Sequence, residues 1–129
     1  MTTLPSFAFG DSPAMADELL HLVLKGRKTA TCWAAAHGRK GVEVGGHSVV
    51  LNGGGRRCCV LETTELRERR FDQIDAEWAT AEGEGDRTLE SWRAGHEAFF
   101  TREGVFTPKM PLWCERFRLV QILPRGSTV

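Results

Sequence analysis

The sequence lacks both an excess of charge of one sign and a long hydrophobic run. Its 17 basic and 17 acidic residues give a formal net charge of zero. That balance argues against a protein that coats nucleic acid non-specifically, because such affinity comes from neutralising many phosphates. No apolar stretch approaches the length of a transmembrane helix. No basic and apolar leader follows Met1, so we expect no signal peptide, no membrane association and a cytoplasmic location.

The spacing of the cysteines suits neither a metal site nor a disulfide framework. The chain contains no C-x-x-C pair, and its four cysteines are Cys32, Cys58, Cys59 and Cys114. We therefore predict free, mostly buried thiols in a reducing compartment, with no metal and no cofactor.

The length and composition of the chain predict one globular domain spanning residues 1–129. Of the 129 residues, 41% are hydrophobic and 26% are charged, so a core can form without disulfides or metal. No repeat, low-complexity tract or linker marks a domain boundary. The sequence carries no signal for an oligomeric state.

Helix and strand signals are segregated along the chain. Ser12 followed by Pro13 predicts a helix start, and Gly26 predicts its end. Asn52-Gly53 between apolar runs predicts a hairpin, with strands over 48–51 and 58–64. Further helices are predicted from Asp75 to Gly83, and from a cap at Asp86 or Thr88 to Glu103-Gly104. The last predicted strand covers about 113–123, with a bulge near 119–120. These elements predict an α+β fold, a small, partly closed and mostly antiparallel β-barrel with flanking helices.

Two segments of the chain carry opposite charge. Lys25–Trp33 contains three bases, and no acid occurs between Leu19 and Val42. Glu82–Asp86 alternates acids with glycines, and no base occurs between Phe71 and Asp86. We expect these segments to meet across a pocket, because each lacks local partners of opposite charge.

Several separated motifs occur in the order found in a known family. The chain resembles the ASCH domain family, whose fold is PUA-like. The motifs that carry the resemblance extend over most of the chain: Phe9–Pro13, Gly26–Thr29 with Thr31, Ala81–Asp86, Leu89, Trp92, His96, Met110–Leu112 and Cys114–Phe117.

The resemblance implies a function related to RNA or nucleosides. In small bacterial ASCH proteins similar to this one, a Lys-x-x-Thr pair and a Glu hydrolyse the amide of N4-acetylcytidine, whereas other members are ribonucleases or RNA binders. The Lys and Thr correspond to Lys28 and Thr31. The Glu corresponds to Glu84 or, given a one-residue length difference, to Glu82. The chain departs from the amidohydrolase pattern at Cys32-Trp33, where an Ile-Arg pair would be expected.

Catalysis by Thr31 and Lys28 would require a specific environment for each side chain. A threonine hydroxyl needs a base, and a lysine serves as one only if burial or cations such as Arg27 lower its pKa to about 7–8. Spacing alone favours a different interpretation, a solvent-exposed Lys28 at a helix end and Thr31 in a strand. For the acids, helix capping accounts best for Asp86.

Four further residues are candidates for substrate binding: Arg27, Thr29, Trp33 and Arg39. Trp33 would stack on a base, and the arginines would hold phosphate. His96, four residues after Trp92, is predicted to be a packed or hydrogen-bonded helix residue. Two functions remain open, a metal-independent hydrolase acting on a cytidine derivative or RNA, and a non-catalytic RNA- or nucleotide-binding module.

Overall fold

A computed structural model describes residues 4–124. Within them, a five-stranded sheet is accompanied by three α-helices and two short 3₁₀ turns, at Ala35–His37 and Phe71–Gln73. The elements run in the order β1 (Ser6–Phe7), α1 (Pro13–Leu24), β2 (Ala30–Ala34), β3 (His47–Leu51), β4 (Arg57–Arg70), α2 (Ala76–Glu82), α3 (Leu89–Arg102) and β5 (Pro111–Ile122).

The strands lie in the order β1-β3-β4-β5-β2. Only β1 pairs in parallel, with β3, and the other pairs are antiparallel. The α+β class with a mostly antiparallel sheet and flanking helices is therefore confirmed. The sheet is not closed into a barrel, since β1 and β2 are its two edges among the residues described.

The long β4–β5 pair is interrupted by two bulges. Leu61 pairs with Leu119 and Val60 with Gln121, so Val120 is an extra residue on β5. This confirms the bulge predicted there. The second strand of the hairpin was predicted to end at residue 64, but β4 continues to Arg70. Its polar second half is held by pairing with β5 rather than by a hydrophobic pattern.

The predicted helix boundaries are confirmed by their caps. The side chain of Ser12 accepts a hydrogen bond from the backbone of Met15 at 3.1 Å, and Pro13 begins α1. Asp75 caps α2 and Thr88 caps α3 in the same way. Asp86 in turn accepts hydrogen bonds from the backbone and hydroxyl of Thr88, so it does support this helix start.

Two hydrophobic clusters hold the helices against the sheet. One joins α2 and α3 to β5 and includes Trp78, Trp92, Phe100 and Leu112. The other joins α1 to the sheet and includes Leu20, Val50, Leu61 and Phe117. All four cysteines are free, as predicted. In the described part of the chain, no helix has the length and apolar character required to cross a bilayer.

Candidate functional site

The basic and acidic segments meet, as their charges predicted. Arg27 donates hydrogen bonds to the carbonyl oxygens of Gly83 and Gly85, both at 2.8 Å. The backbone N–H of Thr29 donates to the carbonyl of Ala81 at 2.8 Å. Arg27 and Thr29 therefore hold the acidic loop against the start of β2, a positioning contact made by two residues predicted to bind substrate.

Lys28 is the cation at the centre of this junction. It is 1% exposed, so the interpretation that spacing alone favoured, a lysine in solvent, is wrong. Its Nζ donates to Glu84 Oε2 at 2.7 Å and lies 3.6 Å from Glu82 Oε1. Both acids left open by the sequence thus contact Lys28, and Glu84 makes the short hydrogen bond.

The two acids differ in their exposure. Glu82 is fully buried, and its Oε2 accepts a hydrogen bond from Trp78 Nε1 at 2.6 Å. Glu84 has a side chain 29% exposed and lines a cavity. Glu84 is therefore the acid that a bound molecule can reach, and Glu82 is a buried counter-ion.

His96 joins this network, which the sequence did not indicate. Its Nε2 lies 3.2 Å from Glu82 Oε1, its Nδ1 lies 2.9 Å from the carbonyl oxygen of Trp92, and its ring stacks on that of Trp92. The prediction of a packed helix residue was sound, but the contact with Glu82 depends on how α2 and α3 pack. Two signals were available, the position of His96 on the helix stripe that carries Trp92 and its place among the residues that carry the family resemblance.

The acids and bases of this network shift one another's pKa values. Burial alone would lower the pKa of Lys28, but the carboxylates of Glu84 and Glu82 outweigh it and raise that pKa above its usual value. Burial would raise the pKa of Glu82, yet His96 and Lys28 hold it well below its usual range. The expectation that neighbouring cations lower the pKa of Lys28 is therefore wrong, because two carboxylates face its ammonium group.

Thr31 lies where two cavities adjoin. One cavity of about 140 Å³ is lined by Thr31, Cys32, Glu84 and His96 together with apolar side chains. A second, of about 240 Å³, shares Thr31 and Cys32 with the first. We call the two cavities together the cleft. Lys28 does not line either cavity, so its ammonium acts on the cleft through Glu84.

The three aromatic candidates differ in their position relative to the cleft. Trp33 lines the larger cavity, its Nε1 donates to the carbonyl oxygen of Gly38 at 2.7 Å, and Lys40 Nζ lies 5.8 Å from its ring centre. Arg39 is 4.8 Å from the ring centre of Trp113 and does not line the cleft. Trp92 is 4% exposed and belongs to the core, as predicted.

Among residues 4–124, the side chains of Cys32, Glu82 and His96 form a group that could hold a metal. Their ligand atoms lie within 4.8 Å of one another. Lys28 and His96 already provide cationic partners for Glu82. Burial and the Glu82 carboxylate raise the pKa of the Cys32 thiol, which opposes the thiolate form that metals bind. The thiol is therefore a packing group in this arrangement.

Comparison with known proteins finds one matching family and several similar solved structures. A family model described as ASCH domain matches residues 5–121. No curated protein matches the chain. Among solved structures, the protein EF3133 from Enterococcus faecalis is similar at 30% identity and a TM-score of 0.86, covering 95% of this chain and 79% of that one. An ASCH domain from Lactobacillus crispatus is similar at 32% identity and a TM-score of 0.84, covering 93% and 81%.

Proposed function

This chain belongs to the ASCH domain family, and on that premise we propose that it is a hydrolase whose cleft cleaves the exocyclic amide of an N4-acetylcytidine-like nucleoside. ASCH domains are generally RNA-associated, PUA-like domains, which supports a substrate derived from RNA. The observation that carries the proposal is the pairing of buried Lys28 with Glu84, 2.7 Å apart, at a cavity that Thr31 also lines.

The raised pKa of Lys28 supports the following division of roles. Lys28 remains an ammonium group at neutral pH, so its short hydrogen bond orients the Glu84 side chain. Glu84 takes the proton of Thr31, whose oxygen attacks the acyl carbon and forms a tetrahedral adduct. Glu84 then gives that proton to the amino nitrogen as the C–N bond breaks, which leaves an acetyl ester on Thr31. Water hydrolyses this ester, which releases acetate and restores the Thr31 hydroxyl. Proton transfer of this kind typically contributes about 10²–10⁴-fold in rate.

The direct test is incubation of the purified protein with N4-acetylcytidine, followed by chromatographic measurement of cytidine and acetate. We expect Thr31→Ala and Lys28→Met to abolish product. Lys25→Met is the matched control, because Lys25 is exposed at the end of α1. Product formed equally by wild type and Thr31→Ala would overturn the assignment. The same reactions with single-stranded RNA test phosphodiester cleavage.

The alternative is an RNA- or nucleotide-binding module without turnover. It is favoured by two cation–aromatic pairs. Lys40 and Trp33 line the larger cavity, and Arg39 lies over Trp113, which pairs with Trp33 across β2 and β5. In that case RNA binding survives Thr31→Ala and weakens when Arg39 or Lys40 loses its charge.

A further inference from the structure

The larger cavity contains an acid that the proposed reaction does not use. Strands β2 and β5 pair so that Thr31 lies opposite Glu115. Directly opposed residues of an antiparallel pair project from the same face, with Cβ atoms about 4.5–5.5 Å apart. Both residues line the larger cavity. Glu115 is therefore the cross-strand neighbour of the proposed nucleophile.

The surroundings of Glu115 differ from those of the other two acids. It is 4% exposed, and its Oε2 accepts a hydrogen bond from Thr63 Oγ1 at 2.6 Å. Within residues 4–124, no cationic side chain lies within ion-pair distance of it. Burial raises its pKa and outweighs the opposing effects of the Thr63 hydrogen bond and of the Lys28 ammonium group beyond ion-pair distance. A buried carboxyl group without an ionic partner costs stability, and a shifted acid in a cavity wall is typical of a ligand-binding position.

The volume and lining of the larger cavity limit the size and the chemistry of the ligand that it can bind. Its volume of about 240 Å³ falls below the roughly 300–1,000 Å³ of pockets that hold drug-sized molecules. Phe7, Phe9, Trp33 and Phe99 contribute aromatic wall, which suits a flat ring. Ser48, Thr31 and Glu115 contribute polar groups that are buried or half-buried, and the exposed residues Lys40 and Glu103 contribute charge.

We propose that this cavity is a subsite for one planar heterocycle, and that Glu115 selects rings whose edge presents an N–H donor, as the amino edge of cytosine does. Carboxylates accept hydrogen bonds from the cytosine amino group. A uracil ring presents a carbonyl oxygen at the same place, so the Glu115 oxygen that does not accept from Thr63 would face an acceptor instead of a donor. The subsite rests on the proposed function, because it places the base of the substrate beside Thr31.

The test is calorimetric titration of wild type with cytidine and uridine, together with Glu115→Gln and Glu97→Gln. Glu97 is exposed on α3 and lines neither cavity, so its substitution removes the same charge outside the subsite. We expect wild type and Glu97→Gln to bind cytidine at least roughly tenfold more tightly than uridine. We expect Glu115→Gln to lose that preference.

Two further measurements distinguish a loss of base selectivity from misfolding of the Glu115→Gln variant. Thermal unfolding checks that Glu115→Gln is folded, and Thr63→Val, which keeps the carboxyl group but removes its donor, should show an intermediate preference. Equal affinity for cytidine and uridine in wild type, or no binding of cytidine, would overturn the subsite without any variant.

The subsite and the hydrolase can fail separately. Cytidine preference that depends on Glu115, with no turnover of N4-acetylcytidine, would support the subsite and reject the hydrolase. Turnover that depends on Thr31, with KM unchanged in Glu115→Gln, would support the hydrolase and overturn the subsite.

Discussion

Glu82 and Glu84 flank Gly83 and both face Lys28, but water reaches only Glu84. Glu82 is enclosed by Trp78, His96 and Lys28. Removal of one member of a buried ion pair typically costs about 3–5 kcal/mol, because the remaining charge is left uncompensated. Glu82 is therefore expected to govern stability, and Glu84 is expected to govern activity.

We predict that Glu82→Gln lowers the free energy of unfolding by about 3–5 kcal/mol, whereas Glu84→Gln costs less stability and lowers kcat by at least about 100-fold. Urea denaturation and turnover of N4-acetylcytidine provide the two measurements. Glu90→Gln, at an exposed position in the first turn of α3, is the control. A Glu84→Gln variant with full activity would contradict the role of Glu84 in proton transfer.

The pairing of His96 with Glu82 should make stability depend on pH. Burial would lower the pKa of His96, but the Glu82 carboxylate outweighs it and raises that pKa above 6.5. The stabilisation from protonated His96 is therefore complete below the unfolded-state value and is lost as pH rises through the folded-state value. Glu82 stays ionised across this range, since its pKa is held below its usual range.

We accordingly predict that His96→Gln destabilises the protein more at about pH 6 than at about pH 9. Loss of ring stacking on Trp92 costs stability at both values, so the difference between them reports the charge. His21→Gln, at an exposed position on α1, should show no such difference. A pH-independent effect of His96→Gln would mean that His96 is neutral throughout.

At the scale of elements, the loop between α2 and α3 depends on one glycine. Gly83 ends α2 in the left-handed conformation, with φ of 72°, and a Cβ atom there would collide with the carbonyl oxygen of Arg27. That close approach brings Glu82 and Glu84 to Lys28. The loop can therefore reach the start of β2 only while this position lacks a side chain.

Two glycine substitutions should have effects of opposite sign. Gly83→Ala forces a strained backbone conformation, which costs about 1–3 kcal/mol, and the collision with Arg27 adds to it. Gly95 lies within α3 with open space around it, so Gly95→Ala should stabilise the protein by up to about 1 kcal/mol. Thermal unfolding of both variants is the measurement. A neutral Gly83→Ala would mean that the loop tolerates displacement.

Elements whose signals are local were predictable from the sequence, and contacts that depend on register were not. Ser12, Asp75 and Thr88 cap helices through hydrogen bonds to residues three positions away, so their roles can be inferred from neighbours. The meeting of Lys28 with Glu84 was predictable from opposite charge and from family resemblance. The pairing of Thr31 with Glu115 requires β2 to lie beside β5, which no local pattern indicates.

For the whole molecule, zero net charge limits how strongly it can hold RNA through phosphates. Two cations, Arg39 and Lys40, lie over aromatic rings near the cleft. Each phosphate contact to a single strand contributes a slope of about −0.7 to the dependence of log affinity on log salt. We therefore predict a shallow overall slope for single-stranded RNA, of about −1.4 for these two contacts.

Arg39→Ala should reduce that slope by about 0.7, measured by fluorescence anisotropy over a salt series. Lys109→Ala, an exposed residue outside the cleft lining, should leave it unchanged. A steep slope that is insensitive to Arg39 would place RNA on another surface.

The position of β2 at a sheet edge beside the last strand has a consequence for synthesis of the chain. Within the described residues β2 pairs with β5 alone, and β5 is made after β3, β4, α2 and α3. A nascent or prematurely terminated chain that lacks residues 111–122 would leave β2 without its neighbouring strand, and the larger cavity would lack Glu115. Such products should therefore be inert, and activity should appear only after translation has passed β5.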